Sequence, residues 1–138
     1  MEQIQTFAPD TGKPNMASNT ALPKAYDLVV FCHLRWGFVY QRPQHIISRL
    51  AKSMRILFIE EPIGFAPDEE GTANLMAISD NLHVLQPKVK DISSIAAIIP
   101  KYVTQGNVAI GWFYSAAFIP LNDAFQFDTI VYDCMDEL

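Results

Sequence analysis

The segment that follows the first apolar run of the chain combines basic and aromatic residues. From His33 to His45 it reads HLRWGFVYQRPQH. Arginine can bind a phosphate or carboxylate through two parallel hydrogen bonds, and aromatic rings can pack against a sugar or a lipid-like body. The alternative is that the rings pack the loop against the protein while the arginines are solvated. We predict a ligand-binding loop, with His33, Arg35, Trp36, Gly37 and Arg42 as its candidate residues.

A second group of reactive side chains closes the sequence. Asp133, Asp136 and Glu137 lie within five residues of one another, directly after an apolar run. Such carboxylates can hold a divalent metal, act as a general base, or cap the helix that follows. At the end of an earlier apolar run, Trp112 or Tyr114 either lines a cleft or belongs to the core.

Several kinds of site are absent from the sequence. The six glycines are scattered, so there is neither a G-x-G-x-x-G nor a Walker loop. No His or Cys spacing indicates zinc, and no serine stands in a nucleophile elbow. Glu60 and Glu61 end the second apolar run, where an acidic residue would hold a ribose in a dinucleotide fold. Without the glycine loop, we favour a turn or helix-capping role for them.

The composition indicates one globular domain. The chain has 138 residues, half of them hydrophobic, and a formal charge of −5. Net acidity argues against nucleic-acid binding. The charges are uneven: residues 28–59 hold five basic side chains and no acidic one, and no basic residue follows Lys101. The basic segment can attract a phosphate-bearing or membrane-surface partner, although chance on a solvated face would produce the same pattern.

The elements that must position these residues follow from the hydrophobic pattern. Nearly continuous β-branched runs predict buried parallel strands, and Ala73–Ile78 with Leu82–Gln86 predicts a hairpin. Spacing predicts a helix over Gln41–Met54, with Gln44 among the residues on its wet side. The predicted strands are 27–33, 55–60, 82–86, 108–114 and 129–134, and further helices are expected over 91–103, interrupted by Pro100, and over 115–126, interrupted by Pro120.

This alternation predicts an α/β fold, an open Rossmann-like parallel sheet of about five strands with flanking helices, in the order 3-2-1-4-5. Residues 1–25 form a polar leader without the apolar core of a secretory signal, so we expect a cytoplasmic protein. Residues 26–138 form the domain, which we expect to continue beyond Leu138.

Five strings of the sequence, taken together and in this order, resemble a known family. They are WGFVYQRPQH (36–45), IEEP (59–62), NLHVLQP (81–87), WFY (112–114) and VYDCMDEL (131–138). Over about Tyr26 to Leu138 the chain is similar to the amino-terminal part of bacterial GT-B glycosyltransferases of the family 4 type that build teichuronic acid and capsule. Some relatives carry a UDP-galactopyranose mutase label.

The resemblance implies an acceptor-side domain whose nucleotide-sugar donor binds to a second domain, absent from this chain. It implies a glycan or lipid-linked acceptor, Gln41 and Arg42 at the mouth of the cleft, and Asp133 with Asp136 after the last strand. It implies no metal and no cofactor. We therefore expect this chain to be inactive alone, with peripheral contact at the inner membrane surface and homodimerisation among its interactions. The alternatives are a sugar-nucleotide enzyme and a non-catalytic Rossmann-like module that binds a ligand or a partner.

Overall fold

The apolar runs of the sequence form six strands of one sheet in the computed structural model, which describes residues 25–37 and 41–133. The strands lie in the order β3-β4-β2-β1-β5-β6, and β3 is antiparallel to β4 while the other neighbours are parallel. Their bounds are β1 (Leu28–Phe31), β2 (Ile56–Ile59), β3 (Thr72–Ala77), β4 (Leu82–Lys88), β5 (Val108–Phe113) and β6 (Phe127–Tyr132).

The predicted α/β class and the 3-2-1-4-5 order of the parallel strands are confirmed. The strand count is corrected from about five to six, because the first arm of the hairpin joins the sheet as the antiparallel edge strand β3. Its tight return is closed by the Ile78 backbone N–H, which donates to the carbonyl of Leu82 at 2.9 Å. A hairpin pairs locally, so it adds a strand without a crossover connection.

The expectation of flanking α-helices is mostly wrong. Within the described ranges one α-helix forms, α1 (Arg42–Leu50), which is shorter than the predicted 41–54. The segments expected as the second and third helices are 3₁₀ helices, because Pro100 and Pro120 lack the N–H that a regular α-helix would use. These helices span Ser93–Ala97, Ile99–Lys101 and Ala116–Ala124, and a short 3₁₀ turn spans Pro67–Glu69.

The sheet has a hydrophobic core on each face. On one face α1 packs through Ile47 and Ala51, which cover alternate residues of the central strands. On the other face the 3₁₀ helices cover the intervening residues through side chains such as Ile95 and Phe118. The central strands β1 and β2 are fully buried on both sides, as their unbroken apolar runs predict.

The predicted leader lies outside the described residues except for its last residue, as do positions 134–138. Among the described helices, none is both long and apolar enough to span a membrane.

One glycine in the sheet is required by a neighbouring ring. Gly111 lies in β5, and a Cβ built on it would lie 2.7 Å from a ring carbon of Phe127. That ring in turn stacks on Phe125, with centroids 4.9 Å apart. The missing side chain of Gly111 therefore makes room for the aromatic packing between β5 and the start of β6.

We expect Gly111→Ala to lower the free energy of unfolding by about 1–3 kcal/mol, because the added methyl group must displace the Phe127 ring. The measurement is chemical denaturation followed by circular dichroism. Gly106→Ala is the matched control, since nothing lies within 4 Å of its added Cβ. Equal effects of the two substitutions would contradict the steric explanation.

Candidate functional site

The candidate site lies at the carboxyl ends of β1 and β5, where the chain connections leave on opposite faces of the sheet. The connection from β1 leads into α1 on one face, and the connection from β5 forms the 3₁₀ helix Ala116–Ala124 on the other. Open α/β sheets bind their ligands at such a switch point, because the diverging connections leave a crevice.

Backbone hydrogen bonds between neighbouring strands continue into the residues that border this crevice. The N–H of Tyr114 donates to Phe31 at 2.9 Å, and the N–H of Asp133 donates to Phe113 at 2.9 Å. The N–H of Glu60 donates in the same way to Leu85 at 3.0 Å. These backbone hydrogen bonds therefore fix the Cα positions of Tyr114, Asp133 and Glu60 relative to the sheet.

Glu60 places a carboxylate inside the protein. Its side chain is 1% exposed and accepts three hydrogen bonds. The donors are the backbone N–H of Trp36 at 2.8 Å, the Gln86 amide at 3.0 Å and the Arg35 guanidinium at 3.3 Å. A buried carboxylate is tolerated only when donors and an opposite charge surround it. Glu60 therefore fixes the loop after β1 to the sheet.

Arg35, a predicted ligand-binding residue, directs its guanidinium into the protein. Besides Glu60, it donates to the carbonyl of Glu61 and, at 3.0 Å, to that of Pro62. The adjacent Trp36 packs edge-on against Phe58, with ring centroids 5.1 Å apart. Trp36 thus packs as the alternative describes, whereas Arg35 is hydrogen-bonded within the protein and not simply solvated.

The position of Gln44 differs from the prediction. It was expected on the wet side of α1, but it is fully buried. Its Nε2 donates to the carbonyls of Arg35 and Trp36 at 3.3 and 3.2 Å, and its Oε1 accepts from the N–H of Gln41 at 3.0 Å. One side chain thereby ties the start of α1 to the loop that precedes it.

Arg42 and Asp133, predicted separately, form an ion pair. The Arg42 Nη2 lies 2.7 Å from the Asp133 Oδ1, across 91 positions of the chain. The two side chains are 50% and 29% exposed, so the pair is open to water and contributes little to stability. It does place a guanidinium and a carboxylate together at the mouth of the crevice.

Beside Asp133, the carboxyl end of β5 and the residue that follows it carry buried polar atoms with no hydrogen bond in the described part of the chain. Tyr114 is fully buried, and within the described part of the chain its hydroxyl has no partner. The same holds for the indole Nε1 of Trp112, whose ring centroid lies 6.0 Å from that of Tyr114. Burial raises the pKa of the Tyr114 hydroxyl, and the nearby Asp133 carboxylate raises it further. The phenol is therefore neutral and can donate.

The remaining predicted residues have simpler positions. His33 follows β1 and is partly buried, Gly37 is exposed, and Gln41 precedes the first residue of α1. Asp136 lies outside the described residues. No cluster of three or more His, Cys, Asp or Glu among the residues described here is arranged to hold a metal ion.

Gln86 and Gln44 are the site residues that sequence reasoning missed. The sequence of β4 does indicate that Gln86 points into the protein. Val84 and Gln86 are two residues apart and so lie on the same face of the strand, where Val84 is buried. A polar side chain on this buried face needs a hydrogen-bond partner. Glu60, which directly follows the neighbouring strand β2, provides it.

A scan against protein-family models gave no match, and searches of curated proteins and of solved structures found none either. The resemblance to GT-B glycosyltransferases therefore depends on the strings in the sequence.

We expect Glu60→Ala to lower the free energy of unfolding by about 3 kcal/mol, because it leaves the Trp36 N–H and the Arg35 guanidinium without their acceptor. Urea denaturation measures the change. Glu61→Ala removes a carboxylate one position away and should cost no more than about 0.5 kcal/mol. A comparable loss in both variants would show that general charge, rather than the buried cluster, is responsible.

We expect Tyr114→Phe to leave the stability unchanged or to raise it by up to about 1 kcal/mol, because it deletes a buried hydroxyl that has no partner. Tyr26→Phe is the matched control, since the Tyr26 hydroxyl lies 2.8 Å from the His83 Nδ1. That control should lose about 1 kcal/mol. Thermal denaturation of both variants checks the contrast, and a clear destabilisation by Tyr114→Phe would mean that the hydroxyl is satisfied.

Proposed function

We propose that this chain is the acceptor-side, Rossmann-like domain of a glycosyltransferase that moves a sugar from a nucleotide-sugar donor to a polysaccharide or lipid-linked acceptor. The observation that carries the proposal is the pairing of Arg42 with Asp133, a guanidinium and a carboxylate open to water at the switch point of the sheet. Glu60 fixes the loop that leads to Arg42.

The direction of the backbone donors in this loop argues against a nucleotide site. In a dinucleotide-binding fold, N–H groups of the first loop point at the pyrophosphate. Here the Trp36 N–H points at the protein's own carboxylate, and the N–H of Gln41 is taken by Gln44. This arrangement supports a donor site elsewhere and an acceptor site here.

The exposed side chains at the crevice suit an acceptor that carries hydroxyl groups. The Asp133 carboxylate can take the proton of an acceptor hydroxyl. The oxygen of that hydroxyl then forms a bond to the anomeric carbon of the donor sugar. The donor's diphosphate leaves with the electron pair of the bond that breaks. In the unliganded protein, Arg42 holds that carboxylate at the crevice through their 2.7 Å contact. Asp133 is therefore the candidate base within the described residues, and the stereochemical course stays open.

The test is a binding comparison on the full chain by ligand-detected NMR. We expect oligosaccharides and glycosyl phosphates to bind with dissociation constants of about 1 mM, whereas UDP-, GDP- and ADP-sugars do not bind at that level. Arg42→Gln should weaken acceptor binding at least about fivefold. Arg49→Gln, which removes the same charge near the end of α1, should not, because Arg49 lies outside the crevice.

Two results would contradict the proposal. One is micromolar binding of a nucleotide sugar by this chain, which would place the donor site here. The other is an absence of binding by every saccharide tested, which would favour a module that binds a partner of another kind.

A further inference from the structure

Two donors without partners, Trp112 in β5 and Tyr114 directly after it, require a physical explanation. A buried hydroxyl or indole N–H that makes no hydrogen bond is destabilising, and native proteins retain few such groups. Tyr114 and Trp112 stand side by side on the α1 face of the sheet, both with buried polar atoms and no partner in the described ranges. A ligand atom that accepts hydrogen bonds would satisfy them.

Both charges of the Arg42–Asp133 pair lie close to this position. Asp133 directly follows β6 and lies beside Tyr114, because the parallel register pairs Phe113 with Tyr132, and Arg42 lies 2.7 Å from Asp133. Arg42 is half exposed and begins α1, whose dipole favours a negative charge at this end. The first turn of α1 contains no acidic residue, so the anion there now is Asp133 from β6.

We propose that Arg42 and two donors at the carboxyl end of β5, Trp112 and Tyr114, form a binding site for a phosphate group, which the Asp133 carboxylate closes in the unliganded protein. On binding, the phosphate takes the place of the carboxylate on the guanidinium and reaches the phenol behind it. Asp133, released from the ion pair, then faces the bound ligand.

The geometry favours phosphate over a carboxylate ligand. A carboxylate offers two oxygens and one charge, which only equals what Asp133 already supplies. A phosphate ester offers three oxygens and close to two charges above its second pKa. Two oxygens can engage the Arg42 guanidinium and the third can accept from Tyr114. The segment 28–59, which contains α1, has five basic residues and no acidic one, and so it adds a field that favours an anion.

The identity of the phosphate depends on the proposed function: it would be the phosphate of a glycosyl or lipid-linked acceptor. The site itself does not depend on that function, because it is defined by side chains. Inorganic phosphate can therefore test the site, and the saccharide comparison above tests the function. A failure of one leaves the other standing.

The central experiment titrates inorganic phosphate into the full chain and follows backbone amide shifts by NMR, at a pH above the second pKa of phosphate. We expect Asp133→Asn to bind phosphate at least about tenfold more tightly than Asp128→Asn. Both changes remove one negative charge from the β6 region, but only Asp133 occupies Arg42. Equal affinities of the two variants would overturn the proposal, because they would show only a general charge effect.

Two further variants locate the phosphate. In the Asp133→Asn background, Arg42→Gln should abolish binding and Tyr114→Phe should weaken it about fivefold. Circular dichroism confirms that each variant is folded, and Arg42→Lys replaces Arg42→Gln if the latter is not. Undiminished binding in Asp133→Asn with Tyr114→Phe would exclude the phenol from the site and overturn the proposal.

The source of the phosphate is resolved with two probes. A hexose 1-phosphate represents a free phosphate ester, and phosphatidylcholine vesicles containing phosphatidic acid represent a lipid headgroup. The proposal requires that at least one of them competes with inorganic phosphate in the Asp133→Asn variant. Competition by neither would overturn it, since the site would then hold no phosphate that is part of a larger molecule.

Discussion

The carboxylate of Glu60 is the constraint on which the loop geometry depends. A charge with 1% exposure must collect its donors from within the protein, and it does so from two segments: the loop after β1 and strand β4. This requirement turns the Trp36 N–H inward and uses the Arg35 guanidinium internally. Gln44 completes the arrangement from α1 by binding the carbonyls of the same loop. Arg42, at the start of α1, keeps its guanidinium half exposed to a ligand.

The sequence predicted those parts of the fold that hydrophobicity alone determines. The continuous apolar runs of β1 and β2 indicate burial on both faces, and the order of the parallel strands follows from short right-handed connections. The helices were predicted less well. The apolar spacing over 91–103 and 115–126 indicates α-helices, but both segments form 3₁₀ helices around their prolines. Proline sets the local hydrogen bonding of these segments, while their apolar side chains still reach the core.

The site was predicted as a list of residues but not as an arrangement. Arg42 and Asp133 were both candidates, yet nothing in local spacing pairs residues 91 positions apart. Gln44 was assigned to solvent because a polar residue on a helix usually faces water. Its amide instead satisfies loop carbonyls that water would otherwise reach, and periodicity does not carry that information. Hydrogen bonds between buried polar groups belong to the tertiary structure, and so they appear only once the loop is placed.

The contacts of the site differ in sequence separation, and this difference affects the order in which they can form during folding. The bonds of Glu60 to Trp36, Arg35 and Gln86 close loops of 24 to 26 residues, within the first half of the sheet. Tyr114 and Asp133 join only after β5 has crossed to β1 and β6 has paired with β5. Because the entropy lost on loop closure grows with loop length, the short loops can close first. The loop after β1 can thus form before β5 and β6 have paired, so a slow step in folding would delay the proposed phosphate site more than this loop.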